Sequence, residues 1–223
     1  MDTQDSNADM QITGAAITGT GSSRTAYLLL GGCWIQPYRN TAGRWAAVTP
    51  EPQPLSRVFP EVAGRMPFGE QPRVDLMFHA GTTTDKSSSE AGRWLSFRQS
   101  SPGGRVHHII YNADTRASAD RQPDWWPEGE ESVVGAAALP SGSVLYATRD
   151  RVRVYSPGAT SRRDIGLAPV GTTALCYDPD QRAVYFFTDP TTVHIAKLAG
   201  AQHSIYAFAA PPAPEKITAI WPK

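Results

Sequence analysis

The chain has few cysteines, no excess of either charge and no long apolar run, and each absence argues against a class of protein. Two cysteines, Cys33 and Cys176, are too few for a disulfide framework, and neither lies at a zinc-binding spacing. Lysine plus arginine and aspartate plus glutamate both number 21. The formal net charge is therefore zero, which offers no support for binding nucleic acid or an anionic membrane. No window of about 18 apolar residues predicts a membrane-spanning helix.

The N-terminal segment lacks the features of a secretion signal. Residues 1–10 are polar and acidic, whereas a signal peptide has a basic start followed by an apolar run. We therefore expect residues 1–10 to be disordered and the protein to be cytoplasmic. Both cysteines are expected to be free thiols buried in strands.

Glycine and proline, by contrast, are abundant, with 19 of each, and favour short strands and turns over long helices. The clearest unit is residues 172–198, where three apolar runs are separated by the turn signals Asp178-Pro179-Asp180 and Asp189-Pro190. Weaker copies occur upstream, so that first strands are expected near residues 13, 74, 134 and 172. Each copy predicts an antiparallel meander that buries its faces by stacking on its neighbours.

These repeats predict one all-β domain over residues 11–223, a four-bladed β-propeller with short helices at the blade ends. The blades are expected at about 11–66, 72–130, 132–168 and 170–223. An aromatic residue followed by proline closes three copies, at Phe59, Trp126 and Trp221. A β-sandwich or two small barrels would not require this recurring element, so we favour the propeller. Residues 80–92, rich in threonine, serine and glycine, predict a surface loop.

These features resemble the hemopexin repeat and, within it, the four-bladed legume seed albumins. The resemblance spans nearly the whole chain. It rests on inner strands of small apolar residues (GAAI, DLMF, GAAA, TALC), on aromatic-rich hairpins (TAYLLLGGCWIQPY, RAVYFFTDPTTVHI) and on the blade ends VFPEV, WWPEG and IWPK. The third copy lacks such an end, and the disulfide that often joins first and last blades in this family is absent.

The resemblance implies a central tunnel, in which backbone carbonyls at the starts of the innermost strands coordinate a cation or a water. The matching positions are Gly14, Asp75, Gly135 and Thr173. Only Asp75 keeps the acid of the family, and calcium prefers carboxylate oxygens, so sodium or water is as good a candidate as calcium. No other cofactor is expected to be required.

The second copy also supplies the candidate side chains for catalysis and ligand binding. Asp75 and His79 fall on one face of a strand and could form a proton-transfer pair, although a lone aspartate bonded to neighbouring backbone and a half-exposed histidine at the strand end are favoured. Trp94 and Arg98 on the next strand are candidate ligand contacts, together with His107.

Two adjacent pairs in this copy leave alternatives open. His107 and His108 point to opposite faces of a strand, so at most one of them serves a site. Trp125 and Trp126 could form an aromatic platform for a ligand, but packing between blades is favoured, because aromatic residues recur at the other blade ends.

Two functions of different classes fit these features. The first is a binding module that takes a small molecule or ion in the tunnel or at its mouth, as the resembled albumins do with polyamine and haem-type ligands. Zero net charge argues against a strong polycation ligand. The alternative is a cofactor-independent cyclase or isomerase, pericyclic chemistry included, acting on an apolar metabolite. A protein scaffold using the 80–92 loop stays open, and a monomer or homodimer is expected.

Overall fold

The computed structural model describes residues 11–19, 21, 24–42, 44–67, 74–81, 93–101, 103–123, 125–127, 132–158, 162–199 and 207–216. The predicted N-terminal disorder, most of the predicted 80–92 loop and the blade end at Trp221 lie outside these residues. Within the described ranges the strands are β1 (Ile12–Thr18), β2 (Thr25–Leu30), β3 (Trp34–Thr41), β4 (Arg44–Ala47), β5 (Gln53–Pro54), β6 (Leu76–Gly81), β7 (Trp94–Ser100), β8 (Val106–Asn112), β9 (Ser118–Asp120), β10 (Gly135–Ala138), β11 (Val144–Ala147), β12 (Arg151–Tyr155), β13 (Arg163–Leu167), β14 (Ala174–Asp178), β15 (Ala183–Asp189), β16 (Thr192–Ala199), β17 (Ala207–Phe208) and β18 (Ala213–Lys216).

These strands form four antiparallel meanders, each ordered from the centre of the ring outwards. Blade 1 runs β1-β2-β3-β4 with β5 beside β3, and blade 2 runs β6 to β9. Blade 3 runs β10 to β13, and blade 4 runs β14 to β17 with β18 beside β16. The innermost strands pack in a closed ring, β1 on β6, β6 on β10, β10 on β14 and β14 on β1. The predicted all-β, four-bladed propeller is therefore confirmed.

Two short helices follow blade 1, α1 (Leu55–Val58) and α2 (Pro60–Ala63). Pro60 stands at the first turn of α2, where its missing N–H is tolerated. In the described residues after blades 2 and 3 there is no helix. Only residues 168–173 separate β13 from β14, and the backbone of Gly171 in this link has a φ of 83°, so the link turns instead. Neither described helix is long enough to cross a bilayer.

The apolar core lies between the blades, in four clusters that each join two neighbouring blades. Between blades 1 and 2 the ring of Phe59 lies 5.3 Å, centre to centre, from each of the rings of Tyr27, Phe97 and Tyr111. Such packing explains why single meanders cannot stand alone, because most of their apolar surface is buried by the next blade.

Both cysteines are free, as the sequence predicts, and they differ in burial. Cys176 is 4% exposed in the core between blades 1 and 4, and burial raises the pKa of its thiol. Cys33 is half-buried in the turn between β2 and β3, so the prediction that it is buried in a strand is wrong. Burial therefore keeps the Cys176 thiol protonated and unreactive at neutral pH.

Candidate functional site

The innermost strands leave little room along the axis of the ring. At their closest, Cα atoms of strands that face each other across the axis, β1 with β10 and β6 with β14, lie within 8 Å. A Cβ atom on Gly14 would lie 2.8 Å from the backbone nitrogen of Met77, and one on Gly135 would lie 2.5 Å from that of Leu175. The small residues that begin the inner strands thus allow backbones to touch. Cα separations of this size across the axis leave no room for an organic ligand at this constriction.

The four positions predicted to offer tunnel carbonyls lie on two levels of the ring. Gly14 and Gly135 lie beside Met77 and Leu175, whereas Asp75 and Thr173 come two residues earlier in their chains. A separation of two residues along a strand is about 7 Å. The four carbonyls therefore do not form one square around the axis.

The Thr173 hydroxyl has its own bonding role. It donates to the carbonyl of Ile12 at 2.5 Å, which joins blade 4 to blade 1. Among the described residues no group of three His, Cys, Asp or Glu side chains is placed to hold a metal ion. The calcium or sodium site stays a prediction.

Asp75 and His79, the predicted catalytic residues, lie on either side of a buried residue. Asp75 is exposed just before β6, and its backbone N–H donates to the carbonyl of Arg98 at 2.9 Å. Met77, between the two positions, is 0% exposed. The side chain of His79 lies outside the described atoms, so this proton-transfer pair stays a prediction.

One face of the β7–β8 hairpin carries an unusual set of buried polar side chains. In the described part of the chain, six side-chain atoms on this face are buried and have no hydrogen-bond partner: Trp94 Nε1, Ser96 Oγ, Arg98 Nε, Ser100 Oγ, His108 Nδ1 and Asn112 Nδ2. The pairing register sets Arg98 opposite His108 and Trp94 opposite Asn112. Buried polar atoms almost always have partners in folded proteins, so a concentration of orphans indicates a place for a ligand or water.

This polar face is directed toward blade 3. Phe78 lies opposite Ser96 in the sheet, and its ring contacts that of Trp125 at 5.4 Å. Trp125 in turn contacts Tyr146 of blade 3 at 5.6 Å. The predicted packing of this tryptophan pair between blades is confirmed for Trp125, which is 6% exposed, and the half-buried Trp126 packs against the edge of the same apolar cluster.

Trp126 also covers the end of the polar face where Arg98 lies. The guanidinium carbon of Arg98 lies 5.4 Å from the centre of the Trp126 ring, a cation–π distance. The ring of His108 meets the same indole edge to face at 4.7 Å. Ser100 lies two residues after Arg98 on the same face. We call Arg98, Ser100, His108 and Trp126 the Arg98 cluster.

The two ionisable side chains of the Arg98 cluster, Arg98 and His108, contribute differently to its charge. Burial, followed by the charges of Arg98 and His107, lowers the pKa of His108 to about 4, so its imidazole is neutral at neutral pH. Arg98 is half-buried, and no described carboxylate lies within ion-pair distance of its guanidinium, a group that stays protonated in proteins. Arg93, by contrast, lies 2.6 Å from Asp114. Among the described residues, therefore, the positive charge of the cluster has no counter-charge.

Of the predicted ligand contacts, the structure brings Trp94 and Arg98 to one face and leaves His107 on the other. His107 Nε2 lies 3.4 Å from Asp120, away from the cluster. His108 lies on this face in place of the predicted His107, because the turn after Ser100 sets Arg98 opposite His108. The turn signal Pro102-Gly103-Gly104 could have given this register from sequence. No comparable local signal places Trp126.

Fold and site define a four-bladed β-propeller with a cationic cluster on its second blade. No protein-family model and no curated protein matches the sequence. Among solved structures, a plant albumin from Cicer arietinum showing hemagglutination is similar, with a TM-score of 0.62 and 12% identity over 94% of this chain and 95% of that chain. This confirms the predicted resemblance to the legume albumins at the level of the fold.

Two further solved structures share only part of their length with this chain. The RRP9 WD40 repeats match with a TM-score of 0.36 and 16% identity, and U3-55K with 0.37 and 17%. Each match covers 84% of this chain and about half of the other, 48% and 49%. TM-scores this low support no argument about the present chain.

Proposed function

We propose that this protein binds a small molecule at the Arg98 cluster, beside one mouth of the ring rather than inside the tunnel. The backbone bond from Asp75 to Arg98 ties the cluster to the end of the sheet where the innermost strand begins. The cluster is therefore close to the tunnel mouth, where the sequence predicts binding. The narrow axis argues against an organic ligand within the tunnel.

Without a ligand, the Arg98 cluster has a free-energy cost, and this cost is the observation that supports the proposal. A half-buried guanidinium that has no counter-charge among the described residues, next to buried polar atoms without described partners, is unfavourable for folding. The half-buried Arg153, by comparison, has a carboxylate partner in Asp164 at 2.7 Å. A ligand that supplies the missing partner would recover this free energy on binding.

The same groups favour binding over catalysis. An imidazole with a pKa of about 4 is a weak base at neutral pH, and it remains deprotonated, so it is a poor acid as well. The cluster contains no carboxylate that could complete a proton-transfer pair. Isomerase or cyclase chemistry here would have to rely on orientation alone.

A screen of small molecules by thermal unfolding, followed by NMR titration of the hits, tests the proposal. Arg98→Gln and Trp126→Phe are expected to weaken binding of the hits about tenfold or more, because each removes part of the contact surface. Arg39→Gln and Trp34→Phe are matched controls, since both residues are exposed on β3 of blade 1. Hits whose affinity is unchanged by both cluster variants would contradict the proposal. Turnover of a bound hit would favour the alternative function, a cofactor-independent enzyme.

A further inference from the structure

We infer that the molecule bound at the Arg98 cluster is a planar carboxylate, an inference that rests on the proposed binding function. The charge of Arg98 favours an anionic ligand. Three other arginines that are at least half-buried each lie close to an aspartate: Arg24 with Asp178, Arg93 with Asp114 and Arg153 with Asp164. Arg98 is half-buried and has no such neighbour among the described residues. Within the described part of the chain no carboxylate matches this charge, and an anionic ligand would supply one.

The unpartnered polar atoms on this face favour a ligand that accepts hydrogen bonds. The unpartnered atom of Arg98 is Nε, which can only donate. At the far end of the same face Trp94 Nε1 and Asn112 Nδ2 are also donors only. Ser100 Oγ can donate or accept, and His108 Nδ1 donates when it carries the proton of the neutral ring. A surface of donors is complementary to a ligand rich in acceptor oxygens.

The shape of the groups at the Arg98 cluster favours a flat ligand. A guanidinium presents Nε and a terminal nitrogen as a flat fork, and a carboxylate fits that fork with two parallel bonds. The ring of Trp126 contacts that of His108 edge to face at 4.7 Å, and the indole is only half-buried, so part of it stays exposed beside Arg98. Flat apolar groups stack well on such rings. The ligand class is thus a carboxylate attached to a flat apolar body.

The neutral state of His108 fits this assignment. A neutral imidazole avoids a second desolvated cation beside Arg98 and leaves one ring nitrogen able to donate to the ligand. A dicationic pocket would instead favour phosphate groups of higher charge. One guanidinium and several neutral donors match a single carboxylate.

The test uses three probes with the same ring system: 1-naphthoate, 1-naphthamide and 1-naphthylmethylammonium. Binding to the full chain is measured by NMR titration for the native protein and for Arg98→Gln. Naphthoate is expected to bind at least about tenfold more tightly than naphthamide, because its bond to Arg98 is charge-assisted. In Arg98→Gln this difference should disappear, whereas Arg39→Gln, on exposed Arg39, should keep it.

Each other outcome overturns the inference in a recognisable way. If naphthamide or the ammonium probe binds as tightly as naphthoate, and Trp126→Phe weakens it, the cluster is a binding site but not one for carboxylates. If naphthoate binds best but equally well to Arg98→Gln, the carboxylate lies elsewhere. Absence of binding by all three probes would contradict the inference, while hits of the broader screen would still support the binding function.

Discussion

Arg24 of blade 1 donates through Nη1 to both carboxylate oxygens of Asp178 in blade 4, at 2.5 and 2.6 Å. The two side chains are 7% and 0% exposed, and the Nε atom of Arg24 lies 3.3 Å from Asp180. The guanidinium also lies 5.5 Å from the ring of Trp45. This buried ion pair joins the first and last blades, the junction where a disulfide is often found in the family that the sequence resembles.

Asp178→Asn is expected to destabilise the fold strongly, because it removes the buried counter-charge of Arg24 and leaves only the more exposed Asp180 beside the guanidinium. Breaking one partner of a buried pair costs about 3–5 kcal/mol. Asp164→Asn is the control, since Asp164 is 43% exposed in its ion pairs with Arg151 and Arg153. That change should cost under about 1 kcal/mol. Denaturant unfolding measures both, and equal losses would contradict the role given to Arg24 and Asp178.

Trp125 and Trp126 are adjacent, yet their replacement should separate stability from binding. Trp125→Ala is expected to lower the free energy of unfolding by about 3–5 kcal/mol, because it opens a cavity between blades 2 and 3. Trp126→Ala should cost less, since the ring is half-buried, but should weaken ligand binding. Thermal unfolding and NMR titration of both variants measure the two effects. The reverse order of stability losses would show that the two roles are exchanged.

Gly14 and Gly135 are expected to tolerate no side chain, because a Cβ atom on either would press on the backbone of the next blade. Alanine at each position should cost about 1–3 kcal/mol through backbone displacement. Gly103→Ala is the control, since its nearest contact would be 3.8 Å away. Equilibrium unfolding in urea compares the three variants. A harmless Gly14→Ala would indicate more room between β1 and β6 than the structure has.

His108 should make the protein less stable as the pH falls. Its pKa in the folded chain is about 4, below the usual 6.5, so folding favours the neutral ring. The contribution of the neutral ring is complete above pH 6.5 and is lost as the pH falls toward 4, by up to about 3 kcal/mol. His108→Gln should therefore flatten the pH dependence of the free energy of unfolding in this window. An unchanged slope would mean that His108 is not desolvated.

Much of the architecture could be predicted from local sequence patterns. The turn signals Asp178-Pro179-Asp180 and Asp189-Pro190 bound β15 as expected, since such residues set the backbone where they stand. The alternation in β7 correctly places Trp94 and Arg98 on one face. The roles of the two tryptophans were not predictable in this way, because Trp125 and Trp126 differ only in what neighbouring elements bring to them.

By itself, the sequence determined the repeated meander, the four blades and the small residues along the axis, because alternation, turn chemistry and side-chain size act over a few residues. The tertiary structure alone decided that Arg24 meets Asp178 and that Trp126 covers Arg98 and His108. These contacts join residues that are far apart in the chain, so local patterns do not fix their geometry. Closure of the ring is the physical reason that Arg24 meets Asp178, and the return of the chain after β9 is the reason that Trp126 reaches Arg98 and His108.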